Sequence, residues 1–194
     1  FLCQVGLFYL LAHAMCNLLQ EAKQDLTAAA ERLRELLKDL DGETERVMRP
    51  LVHKRDFYYL GRGVNFALAM EGALKMKEVS YIHAEGMPAG ELKHGTLALI
   101  TEGTPVVVLC PNDETYPAIM SNAIEAKARG AHIIGISDVQ SDVYDTWLRI
   151  PEVAEHEYPL MMSVPLQLMA YYMAVLRGCD PDKPRNLAKS VTVK

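Results

Sequence analysis

The chain has 194 residues, half of them hydrophobic, with 20 Lys and Arg against 25 Asp and Glu for a formal charge of −5. That length suits one well-packed α/β domain and is short for two, and a 23% charged fraction excludes a disordered chain. The acidic balance gives no electrostatic reason to expect nucleic acid, which requires a basic stripe, although a small anion can still be held by local amides and hydroxyls.

Residues 1–16 are apolar but lack a basic leader and a cleavage site, and they run on into a charged helical pattern. They read as a helix cut from a longer protein, not as a signal or membrane segment. Residues 1–40 form one long helix or two consecutive ones, with Leu26, Leu33, Leu36, Leu37 and Leu40 at helical spacing. Asp41-Gly42 supplies a stop and Pro50 a break. The expected role of 1–50 is a helical segment that packs against a partner or a neighbouring domain. After it the period changes. A short aromatic strand at 57–60 ends at Gly61-Arg62-Gly63, and an amphipathic helix opens at Asn65 and runs to about Tyr81. Strands are expected at 105–109, 132–136 and 147–150, and helices at 116–129 and 160–176. Uniformly apolar strands alternating with helices predict a parallel sheet covered on both faces, a three-layer α/β sandwich over 51–178. Ligands of such sheets collect at the carboxyl ends of strands. Residues 81–95, rich in Gly with Pro88, read as an irregular loop or a short helix between loops. Residues 179–194 read as an exposed tail.

Four cysteines, Cys3, Cys16, Cys110 and Cys179, form no CxxC pair, which gives neither a disulfide framework nor a Cys-rich zinc site. Cys110 follows an apolar run and reads as a buried strand-end thiol, and the pattern suits a reducing cytoplasm. Glu71, Lys75 and Glu78 fall within about 60° of one helix face. Spacing alone favours a solvated ion-pair stripe over a site. A carboxylate beside a lysine on a largely apolar helix is suited to acid–base work. In the following loop, His94, between Lys93 and Gly95, is the better acid–base candidate, and His83 reads as structural. No metal-ligand spacing is met, and Gly61-Arg62-Gly63 departs from the dinucleotide fingerprint at Phe66, so no metal and no cofactor is expected.

The run YLGRGVNFALAMEGALKMKEVSYIHAEGMPAGELKHGTLALI, together with the tail DPDKPRNLAKSVTVK, resembles the C-terminal part of the glucosamine-6-phosphate synthase family, the isomerising glutamine–fructose-6-phosphate amidotransferases. The resemblance covers nearly the whole chain and is strongest in 57–110 and 180–193. It implies a flavodoxin-like sugar-isomerase (SIS) domain, the second of two, preceded by linking helices and followed by a catalytic tail at 179–194. It implies that Glu78 moves a proton between C1 and C2 of the open-chain sugar. His94 would open the sugar ring from across a subunit boundary, and Lys189 would form a Schiff base with the keto sugar. Lys75, Glu71 and Ala188 would support or bind substrate. The implied partners are a sugar phosphate and a second copy of the chain. A glutaminase domain and a first SIS domain, which carries most of the phosphate contacts, would belong to the full-length enzyme. The C-terminal Lys194 stands where the family has an acid. Two other readings stay open: a non-catalytic sugar-phosphate-binding SIS module, and a dimerisation domain built on 1–40.

Overall fold

The computed structural model describes residues 1–187. Helix α1 (Leu2–Met15) and helix α2 (Leu19–Met48) precede strand β1 (Asp56–Gly61), helix α3 (Val64–Ser80) and strand β2 (His83–Pro88). Then come β3 (Pro105–Leu109), α4 (Tyr116–Lys127), β4 (His132–Ser137), β5 (Thr146–Arg149) and α5 (Tyr158–Leu176). The five strands form one all-parallel sheet in the order β2-β1-β3-β4-β5, the doubly wound flavodoxin-like order.

Alternation along the strands builds two cores. Phe57, Tyr59, Val107, Leu109, Ile134 and Ile136 face α2, α3 and α5. Tyr58, Leu60, Val106, Val108 and Ile133 face α4 and the 3₁₀ segments after β2. The central strands are buried on both faces, which is why they read as continuous apolar runs. Helix α5 is apolar on most of its surface because, from Leu160 to Met173, every residue except Gln167, Tyr171 and Tyr172 is buried.

Three local expectations are corrected. Helix α2 does not stop at Asp41-Gly42 but continues to Met48. Leu36, Leu40, Thr44 and Met48 repeat every four residues and are all buried, so the stripe carries the helix through. One exposed glycine costs about 1 kcal/mol in a helix, less than burying Met48 returns. Asp41 also accepts the Tyr172 hydroxyl of α5, tying the supposed stop to the domain. Second, α2 packs its stripe on this chain's own α5, with Ala29, Leu36, Leu40 and Met48 inside the core; helix α1 has no buried residue. Third, 81–95 is not a loop throughout. It contains β2 and then a 3₁₀ helix, Ala89–His94.

Strand β2 was hidden by Gly86 and Pro88. It is one of the two edge strands, paired on one side only, where a proline is tolerated at the end of the ladder. Gly86 is present because α3 lies on it: a Cβ there would meet Ala69 O and Met70 Cα at 2.6 Å. Those atoms are helix backbone and cannot swing aside. Gly86→Ala should therefore lower unfolding free energy by about 3 kcal/mol through forced separation of α3 from β2, read by denaturant melts. A loss below about 0.5 kcal/mol would show that the contact is not tight.

Candidate active site

The turn from β1 into α3 is built on close approach. A Cβ on Gly61 would meet Asn65 O at 2.2 Å, and Gly63 caps the helix with φ of 55°. Around this turn, at the carboxyl ends of the strands, lies a depression of about 500 Å³ lined by Gly61, Arg62, Gly63, Glu91 and Thr115. The sequence places the ligand here. Glu78, however, sits 14 residues further along α3, about 21 Å down the helix axis at the opposite end of the sheet. The Gly61–Gly63 turn and Glu78 therefore belong to different places.

At that far end the three charged residues of α3 do meet. Lys75 Nζ donates to Glu78 Oε2 at 2.6 Å and lies 3.8 Å from Glu71 Oε1. The Lys75 and Glu78 side chains are 33% and 29% exposed, so each is reachable from solvent and neither is a structural buried charge. Such a half-exposed pair contributes well under about 1 kcal/mol to stability. What it does is hold one carboxylate oxygen of Glu78 in place; among the described residues the other accepts no hydrogen bond. A carboxylate fixed at one oxygen and open at the other can accept and return a proton.

Glu78 opens onto a groove of about 580 Å³ lined by Leu74, Lys77, Tyr81, His83 and residues 185–187. Tyr81 makes the connection. It ends α3 in the left-handed conformation, φ 60° and ψ 24°. Its hydroxyl accepts the Arg185 backbone N–H at 2.9 Å, and the Arg185 guanidinium lies 4.2 Å from the centre of its ring. Sequence reasoning missed Lys77, Tyr81 and Arg185. A helix that stops at a tyrosine, with neither glycine nor asparagine to end it, was the available signal.

His94 is not part of this groove. It ends the 3₁₀ helix Ala89–His94, whose Ala89 and Leu92 pack into the core shared with α4, on the sheet face opposite α3. Its side chain is exposed. Lys189 and Ala188 lie outside the described residues. His83 pairs with Asp56 across the β1–β2 register, Nδ1 to Oδ1 at 3.0 Å, on the exposed edge. Cys110 is buried, 3.0 Å from the Tyr144 hydroxyl, and burial pushes its thiol pKa up to about 12, which leaves it no part as a nucleophile at neutral pH.

Known proteins share both the sequence and the shape. The chain is 48% identical, over 98% of its length, to a glutamine–fructose-6-phosphate aminotransferase (isomerising) from Thermococcus kodakarensis, and 45% identical over its whole length to one from a Nostoc species. It spans 33% of the length of each. Among solved structures, the C-terminal domain of glucosamine-fructose-6-phosphate aminotransferase from Francisella tularensis superimposes with a TM-score of 0.78 at 35% identity, covering 86% of this chain and 47% of that one. A parallel sheet in the order β2-β1-β3-β4-β5 is thus accompanied by a direct family match: the SIS domain model fits residues 50–177, and the chain belongs to the SIS domain family.

Proposed function

We propose that this chain is the isomerase part of a glutamine–fructose-6-phosphate aminotransferase, the enzyme that makes glucosamine 6-phosphate from fructose 6-phosphate and opens amino-sugar synthesis. The observation that carries the reading is the Lys75-anchored Glu78 carboxylate, open on one side to a groove that the chain's C-terminal segment enters. Leu187 lines that groove, and Lys189 follows two residues later in sequence.

In this reading His94, from a second subunit, moves the protons that open the sugar ring. The Lys189 amine adds to the C2 carbonyl and water leaves, giving an imine. Ammonia, supplied by a glutaminase domain of the full-length enzyme, displaces the lysine. Glu78 then takes a proton from C1 and returns it to C2, which converts the ketose imine into the amino aldose. Lys75 holds Glu78 in position, and Glu71 shares the charge of Lys75. Ala188 lies beside the nucleophile in sequence and would line the sugar site. The working enzyme is a cytoplasmic homodimer, and most of its phosphate contacts come from a first SIS domain.

The test is borohydride reduction of the full-length enzyme in the presence of fructose 6-phosphate. A stable adduct should form on Lys189 and disappear in Lys189→Ala. Labelling that persists in that variant would remove Lys189 from the chemistry. Sugar-phosphate binding without any adduct would favour the non-catalytic module.

A further inference from the structure

The left-handed residue at the end of α3 is the feature that neither the packing of the domain nor the reaction explains. A helix normally leaves through glycine or asparagine at this position, because a side chain with a Cβ is strained there. Tyr81 takes φ 60° and ψ 24° with its side chain only half buried, so core packing gives little in return. What its conformation does is stand the ring beside Glu78 and against the returning segment at Arg185. Two different interactions then converge on one residue 104 positions away: the Tyr81 hydroxyl accepts the Arg185 N–H, and the ring face receives the Arg185 guanidinium. A backbone contact fixes where the chain passes, and the stacked cation fixes how it is turned. Backbone strain that persists at a half-exposed position is a recurrent mark of a site.

We infer that Tyr81 is a positioning residue, a clamp that seats the returning segment at Arg185, where Asn186 and Leu187 line the Glu78 groove. The inference rests on the function proposed above for its catalytic consequence, but not for the clamp itself. Tyr81 touches no reacting atom and acts through Arg185. Lys77 and Leu74 form the other wall of the groove and would remain in place in any Tyr81 variant.

The role separates from a structural one because the two make opposite demands on stability. Asparagine tolerates the left-handed conformation better than tyrosine and offers no ring to Arg185. In the full-length enzyme, Tyr81→Asn should melt no lower than the parent. Trypsin should cut after Arg185 about tenfold faster, since the guanidinium is no longer stacked and the N–H no longer held. Formation of the borohydride-trapped adduct on Lys189 should slow by a similar factor at saturating fructose 6-phosphate. Tyr81→Phe, which keeps the ring, should fall between the two. Unchanged cleavage after Arg185 in Tyr81→Asn, whatever its melting temperature, would leave Tyr81 a residue of the helix end alone and overturn the inference. Unchanged trapping in Tyr81→Asn would do the same for its catalytic part. If the parent enzyme itself forms no adduct, the proposed reaction fails, and the trypsin comparison still decides the clamp.

Discussion

Glu78→Gln in the full-length enzyme should reduce conversion of fructose 6-phosphate to glucosamine 6-phosphate by about 10²–10⁴-fold in kcat, the usual contribution of a positioned acid–base group. The substitution keeps the shape of the side chain and its ability to accept from Lys75 Nζ, which now sits 2.6 Å away. It removes the ability to hold a proton and hand it on. Stability should change by less than about 1 kcal/mol, because the pair is half exposed and solvent already screens it. The variant should also still form the imine on Lys189, since proton transfer at C1 follows that step. Loss of turnover with an intact melt and intact trapping would place the defect at proton transfer alone. Near-normal turnover would remove Glu78 from the chemistry and return the Glu71–Lys75–Glu78 face to an ordinary ion-pair stripe.

The contrast between that face and the rest of the groove shows where sequence reading ends. Glu71, Lys75 and Glu78 lie within seven residues on one helix, so helical period alone predicts their convergence, and the observed Lys75 contacts follow. The buried strands were legible for a similar reason: a run such as Pro105–Leu109, buried at every position, carries its own signal. Edge strand β2 was not, because an edge tolerates Pro88 and a tight helix contact demands Gly86, and both residues spell a loop when read locally. Helix α2 crossed its stop because Thr44 and Met48 find a buried surface that no local rule reports. The Tyr81–Arg185 contact joins the chain over 104 positions, and only the fold brings its partners together. The ligand's expected place at the carboxyl ends of the strands followed a rule for open α/β sheets. That rule located a real depression at Gly61–Gly63, but not the one that holds Glu78.

The position of His94 leads to the second large effect. Its segment packs on the sheet face opposite α3, so the fold of one chain keeps it apart from the Glu78 groove. If the reaction needs both, the histidine must come from a second copy, and subunit mixing becomes a decisive experiment. Glu78→Gln and His94→Ala, each prepared as the full-length enzyme, should be nearly inactive alone. Unfolded together and refolded at equal concentration, they should recover about a quarter of parental activity, because half of the symmetric dimers are mixed and each mixed dimer rebuilds one intact site of two. The recovery should be absent when the two folded variants are combined without subunit exchange. If His94 instead served its own chain, a mixed dimer would carry one defect in each site and no activity would return. The same mixing with Tyr81→Asn and Glu78→Gln should give no rescue above the activity of Tyr81→Asn itself. Tyr81 and Glu78 line one groove on one chain, and a partner chain cannot separate them.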